Sequence, residues 1–206
     1  MNGSESEFQT AAAAAPAERQ RPRFGLTPPG ASSPIAPPLS TSCWFNLPAK
    51  RSTLALDDLR GRVVVLHTFQ MLCRGCVFHG LPQAQRIAAV FAPQDVAVIG
   101  LHTVFEHHEA MTPVSLAAFL HENRIQFPVG VDAEGEAGGG TRDPIPQTMR
   151  RYGFQGTPSL VLIDRAGRVR SSTFGAGDDL IVAAAIATLI AEVGNPAGVD
   201  AGGVGD

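Results

Sequence analysis

The chain has 206 residues, 44% of them apolar, with 16 Lys and Arg against 19 Asp and Glu for a formal net charge of -3. That length and apolarity suffice for one good-sized core, so a single domain is expected once polar ends are set aside. With no basic excess to release counterions from phosphate, nucleic acid and anionic membrane surfaces are excluded as general partners, and the three cysteines are too few to staple a scaffold.

Residues 1–38 are rich in Ala, Pro, Ser and Gly, and Pro28-Pro29 and Pro37-Pro38 interrupt any helical or ladder pattern, so this stretch is expected to be a disordered arm. Its alanine run, Ala11 to Ala15, does not read as an export signal. Glu5 and Glu7 stand where a signal needs positive charge, and Arg19, Arg21 and Arg23 follow. No segment reaches the roughly 20 apolar residues that span a bilayer. The expected location is the cytoplasm, whose reduced thiol pool would favour a reducing or cycling role for a dithiol.

The domain is expected over residues 39–193. Leu54 to Arg62 leads into Val63-Val64-Val65-Leu66, a β-branched run that looks like a strand buried on both faces. Cys76 to Phe91 has helical spacing, with Pro82 expected to kink its first turns. Val96 to Leu101 is a second buried strand, and Thr112-Pro113 signals a helix through Leu116 to Leu120. Phe127 to Val131 reads as a short strand, Glu134 to Gly140 as an acidic glycine loop, and Gln147 to Tyr152 as a short helix closed by Gly153. Ser159 to Ile163 and Val169 to Phe174 flank Asp164-Arg165-Ala166-Gly167-Arg168 as an antiparallel hairpin. Asp178-Asp179 then open a helix through Ile181, Ala185, Ile186 and Ile190, with acids at the positive end of its dipole. Residues 194–206 are expected to be a flexible Gly-rich tail. Alternating strands and helices argue for an α/β class.

Cys73-Arg74-Gly75-Cys76 falls where a buried strand gives way to a helix. Unpaired N–H groups at a helix start stabilise a thiolate, and such settings lower a cysteine pKa from about 8.5 to roughly 3.5–7.5. Arg74 adds charge in the same direction. Cys73 is therefore expected to be the nucleophile and Cys76 the resolving thiol. Thr157-Pro158, just before another buried strand, would turn backbone toward the dithiol if the proline is cis.

The unit from Val63 to Cys76, together with Gly156-Thr157-Pro158-Ser159-Leu160-Val161-Leu162-Ile163-Asp164, resembles the TlpA-like and redoxin (AhpC/TSA-related) branch of the thioredoxin superfamily over about residues 42–192. The resemblance implies a three-layer α/β/α sandwich with a mixed central sheet. It implies a thiol–disulfide oxidoreductase of redox homeostasis, with Cys73 and Cys76 as the redox pair and Pro158 as the cis-proline. Its partners would be a disulfide-bearing protein or small molecule and an unidentified thiol reductant, with no cofactor. Leu72 stands where the family usually has Trp, Gly75 where many members have Pro, and Pro82 lies one place later than the usual helix proline. Gly75, lacking a ring, is expected to loosen the dithiol loop.

His67, six residues before Cys73, sits where thioredoxins hold a buried Asp, and is either a proton relay for Cys76 or a neutral core histidine. Cys73, Cys76 and His79 form a CxxCxxH string, but a metal would need a fourth ligand such as Cys43, and none is expected. Val77 after Cys76 excludes haem attachment. Glu106-His107-His108-Glu109 reads as a solvated loop that could alternatively touch substrate, and Cys43 beside Trp44 as a half-buried small residue near the first strand. Two other functions compete. A redoxin-type peroxidase with antioxidant activity would want Thr three residues before its reactive cysteine, where Gln70 stands. A thioredoxin-fold binding or redox-sensing module would leave the dithiol idle.

Overall fold

The computed structural model describes residues 25–29, 33–137 and 141–192. The alanine run, much of the expected arm and all of the expected tail over 194–206 lie outside the described residues. Six strands form one sheet: β1 (Thr41–Phe45), β2 (Val63–Phe69), β3 (Val96–His102), β4 (Val129–Asp132), β7 (Ser159–Ile163) and β8 (Val169–Phe174). Their spatial order is β1-β4-β3-β2-β7-β8, with β2, β3 and β4 mutually parallel and β1, β7 and β8 antiparallel to their neighbours. This is the mixed sheet that the resemblance implies. Every residue of β2 is buried, as expected of a β-branched run at the centre of a sheet covered on both faces.

Four helices complete the layers: α1 (Leu81–Val90), α2 (Pro113–Glu122), α3 (Gln147–Tyr152) and α4 (Asp179–Ala191). Val63 and Val65 of β2 share a cluster with Leu81 and Ile87 of α1, Leu116 of α2 and Ile186 of α4. The alternate residues Val64 and Leu66 face the other way, with Ile99, Val161, Tyr152 and Phe154. Period-two alternation along β2 thus builds both cores at once.

The helix ends follow the sequence signals. The Thr112 hydroxyl accepts the Ser115 N–H at 3.2 Å ahead of Pro113, and Asp178 Oδ1 accepts from Leu180 and Ile181 at 2.9 and 3.2 Å. Gly153 closes α3 in the left-handed region, at φ 64°. In the β7–β8 turn, Asp164 Oδ1 accepts from Ala166 and Arg168, and Gly167 takes φ 75°.

Several elements differ from expectation. The chain over 33–38 lies against the domain: Ala36 N–H reaches the Gly167 carbonyl at 2.9 Å, Ile35 bridges to Arg168, and Tyr152 Oη donates to the Pro37 carbonyl at 2.7 Å. Thr27 N–H likewise donates to the Arg170 carbonyl at 2.8 Å. Within the expected loop 134–140, Gly135–Ala137 (β5) pairs with Thr141–Asp143 (β6) as a small hairpin. β4 starts at Val129, after Pro128, which has no N–H to give to a ladder. The helix after the dithiol is widened rather than simply kinked. Cys76–Gly80 forms a π-turn, and Leu81 N–H reaches the Cys76 carbonyl five residues back. Pro82, lacking an N–H, follows directly on this π-turn, where the ladder has already shifted to bonds reaching five residues back. Among the described residues no helix is long and apolar enough to cross a membrane.

Candidate active site

The parallel strands β2 and β3 end at the same edge, and the chain leaving β2 turns through Gln70-Met71-Leu72 into the dithiol. Arg74 and Gly75 are already helical, so Cys73 occupies the position just before the first turn. Its sulfur is half-buried and accepts the Cys76 N–H at 3.2 Å. The same sulfur lies 3.4 Å from the Thr157 carbonyl, to which its thiol donates. Cys76 is fully buried, and its Sγ approaches Cys73 Sγ to 2.6 Å as a donor, with both cysteines reduced.

Burial, followed by the hydrogen bond to Cys73, pushes the Cys76 thiol up to about 12; lesser hydrogen bonds from Thr157 and the Gln70 backbone pull the other way. Cys76 is therefore a thiol at neutral pH, and the accessible sulfur of the pair is Cys73.

The Thr157–Pro158 peptide is cis. Pro158 is buried against the dithiol helix: a Cβ at Gly75 would lie 3.3 Å from Pro158 Cδ, and one at Gly80 would lie 2.9 Å from Pro158 Cβ. Gly75 is not the loose element expected of it. It has φ -60° and ψ -36°, inside the helix and seated on the proline. Arg74 is exposed and lies over the Phe78 ring, 5.9 Å from its centroid, so its charge is directed to an aromatic face one turn on.

His67 lies beneath the dithiol helix, 1% exposed, with Nε2 lacking a partner and the ring parallel to Phe69 at 6.3 Å. Burial lowers its pKa to about 4. In the resting dithiol, burial holds the imidazole neutral and the Cys76 thiol protonated, so His67 stands there as a neutral buried histidine. Sequence reasoning missed a second such residue. His102, on the same sheet face as Phe69, is fully buried with both ring nitrogens unpartnered, and burial lowers it too to about 4.

Sequence reasoning also passed over Gly80 and the side chain of Gln70. Gly80 had a signal: a glycine inside a helical run, costing about 1 kcal/mol relative to Ala, marks a close approach. Gln70 is 1% exposed and was weighed only as the absent threonine of a peroxidase. Cys43 sits on β1, opposite Val131, with two strands between it and β2, roughly 14 Å at ordinary strand spacing. His79 is exposed, and among the described residues no three His, Cys, Asp or Glu side chains converge as a metal site.

Leu72 (60% exposed), Phe78 (63%) and Phe174 (63%) leave apolar surface bare near the dithiol, with Phe174 packed against Gly156. A cleft of about 440 Å³ opens between Gly75, Phe78, His79 and Pro158 on one side and Gly175 and Gly177 on the other.

Residues 42–172 match the model of the AhpC/TSA family. A search of curated proteins returned no match. Among solved structures, a thioredoxin-like superfamily protein is 54% identical with a TM-score of 0.72, over 78% of this chain and 99% of that one. A thiol-disulfide isomerase from Corynebacterium glutamicum is 44% identical with a TM-score of 0.70, over 79% and 99% of the two chains. A thioredoxin-like protein solved in its oxidized form, 16% identical at a TM-score of 0.60 over 78% and 97%, shares the fold alone. Strand–CxxC–helix, a cis-proline beside the dithiol, a mixed sheet between helical layers and these likenesses lead to one conclusion: the chain belongs to the AhpC/TSA family, in its thioredoxin-like redoxin branch.

Proposed function

We propose that the protein is a thiol–disulfide oxidoreductase in which Cys73 attacks and Cys76 resolves. The observation that carries this reading is the asymmetry of the pair. One sulfur is reachable and holds a backbone N–H at 3.2 Å, and the other is buried 2.6 Å behind it.

In the forward direction the Cys73 thiolate attacks one sulfur of a substrate disulfide, and the other substrate sulfur leaves and takes a proton. The Cys76 N–H stays with Cys73 Sγ and needs no rearrangement to stabilise the anion. Once Cys73 is held in the mixed disulfide, its hydrogen bond and charge no longer oppose ionisation of Cys76, and only burial still does. Cys76 then attacks Cys73 Sγ, the Cys73–substrate S–S bond breaks, and the Cys76 proton passes to the departing second substrate sulfur, which leaves as a thiol. Two electrons pass to the substrate, the pair becomes a disulfide, and an external thiol reductant resets it. The exposed Leu72, Phe78 and Phe174 and the cleft beside Pro158 suit a disulfide carried on a partly apolar protein or small molecule.

The peroxidase alternative lacks its threonine, since the buried Gln70 amide occupies that place. The deciding experiment is reduction of insulin by dithiothreitol with wild type, Cys73→Ser and Cys76→Ser, run beside hydrogen peroxide consumption. Acceleration of insulin reduction by wild type that Cys73→Ser abolishes supports the reading. Equal rates for the two would favour a binding module, and peroxide turnover far above that of a free thiol would favour a peroxidase.

A further inference from the structure

Gln70 makes a set of bonds that the exchange chemistry described above does not use. Its carbonyl accepts the Cys73 N–H at 3.2 Å. Its side-chain oxygen accepts the Phe105 N–H at 3.2 Å, and its side-chain nitrogen donates to Glu106 Oε1 at 3.3 Å and reaches Thr157 Oγ1 at 3.5 Å. One buried amide therefore joins three segments that are distant in sequence: the dithiol turn, the loop after β3 and the cis-proline loop. Thr157 is the residue whose carbonyl accepts from Cys73 Sγ at 3.4 Å.

Resting on the proposed role of Cys73, we infer that Gln70 is a positioning residue: it straps the Phe105–Glu106 loop to Thr157 and thereby holds the Thr157 carbonyl against the attacking sulfur. The chemistry requires an amide. Phe105 needs an acceptor while Glu106 needs a donor, and of the uncharged side chains long enough to do both, Gln offers the two on one rigid plane. Glu106, an exposed residue, is the outer anchor of this strap rather than a freely solvated charge. Without the strap the Phe105 N–H loses its partner and the Thr157 hydroxyl its tie to the Phe105–Glu106 loop, and the cis-proline loop is free to shift relative to Cys73. Misplacements of about 1 Å at a reacting centre can cost on the order of a hundredfold in rate.

The test is the second-order rate of Cys73 with dipyridyl disulfide, per folded molecule, for wild type, Cys73→Ser, Gln70→Ala, Gln70→Glu and the swapped pair Gln70→Glu/Glu106→Gln. Gln70→Ala should be slower by about tenfold or more. Gln70→Glu keeps the acceptor for Phe105 but loses the donor and sets two carboxylates together. Its rate relative to wild type should fall similarly at neutral pH and recover as pH is lowered, when a protonated carboxyl donates again. The swapped pair reverses donor and acceptor between positions 70 and 106 and should return to within about threefold of wild type, a rescue that loss of stability alone does not produce. An unchanged Gln70→Ala rate, a pH-independent ratio for Gln70→Glu, or a swapped pair as slow as Gln70→Glu would each overturn the inference while leaving Cys73 as nucleophile. A wild type no faster than Cys73→Ser would overturn the proposed function and this inference with it.

Discussion

Gly80 lies so close to His67 that a Cβ at position 80 would fall 2.5 Å from Cε1 and 2.9 Å from Nε2 of the imidazole. Gly80 has φ -66° and ψ -52°, an ordinary helical geometry that alanine prefers by about 1 kcal/mol. Sterics oppose that preference. His67 is buried, and the same Cβ would fall 2.9 Å from Cβ of the buried Pro158, so neither neighbour can readily give. Gly80→Ala should therefore destabilise by about 1–3 kcal/mol, the usual cost of overpacking, as a lower urea midpoint at unchanged slope. An alanine variant as stable as wild type would show that the helix can slide off His67.

Cys76→Ser should accumulate a mixed disulfide. Cys73 keeps its exposure and its backbone donor, because the bond comes from the main chain of residue 76 and survives the substitution. With Cys43 replaced by alanine in both, because it too is a partly exposed free thiol, intact mass after mixing with a disulfide should show one adduct on Cys76→Ser that persists and none on Cys73→Ser. A persistent adduct on Cys73→Ser instead would reverse the roles of the two sulfurs.

Acid should weaken the fold well before carboxylates titrate. His67 and His102 both carry pKa values lowered from 6.5 to about 4 by burial. Between those limits the unfolded chain binds protons that the folded chain refuses, so stability is intact above about pH 6.5 and falls as pH drops toward 4. Each histidine contributes a slope of up to roughly 1.4 kcal/mol per pH unit over that window. Urea melts across the range should show this steepness, and His102→Leu should reduce it by about half. If the slope is untouched by the substitution, His102 is not a source of the acid sensitivity.

Arg170 is 2% exposed and pairs with Glu192 at the end of α4, with Asp164 of the β7–β8 turn and, through Nε at 2.8 Å, with the Thr27 carbonyl. Removing Glu192 would leave a desolvated guanidinium short of its main counter-charge. Glu192→Ala should cost about 2 kcal/mol, below the 3–5 kcal/mol of a fully buried pair because Glu192 is itself 29% exposed. Denaturation in low and high salt should retain most of the loss, since the buried guanidinium side of the pair is screened much less than a surface pair. A loss that disappears in high salt would mean that the interaction is a surface one.

The sheet and the dithiol were readable in the sequence for a common reason: burial on both faces demands unbroken apolar runs, and β2, β3 and β7 carry them. β1 was harder to see, because an edge strand with a register irregularity between Thr41 and Cys43 is half-exposed along its length. The β5–β6 hairpin hid in a glycine loop. Gly135 is required there because a Cβ would run into the Ile145 carbonyl, across the hairpin, a clash that no local pattern announces. Residues 33–38 carry the composition of an arm, yet their backbone groups are bonded to residues more than a hundred positions away, such as Gly167. The site divides in the same way. Cys73 and Cys76 follow from spacing, and Pro158 from its place before a buried strand and from the family resemblance, whereas the contacts of Gln70 and the orphaned ring of His102 arise where distant segments converge.

Because Cys76 is sealed inside, a bulky electrophile finds only one sulfur of the pair. With Cys43 replaced by alanine, a fluorescent maleimide would then register one tag per competent molecule and none on a copy whose pair is already joined. The fraction of a preparation that is armed could be counted directly, from colour alone, without knowing what it acts upon.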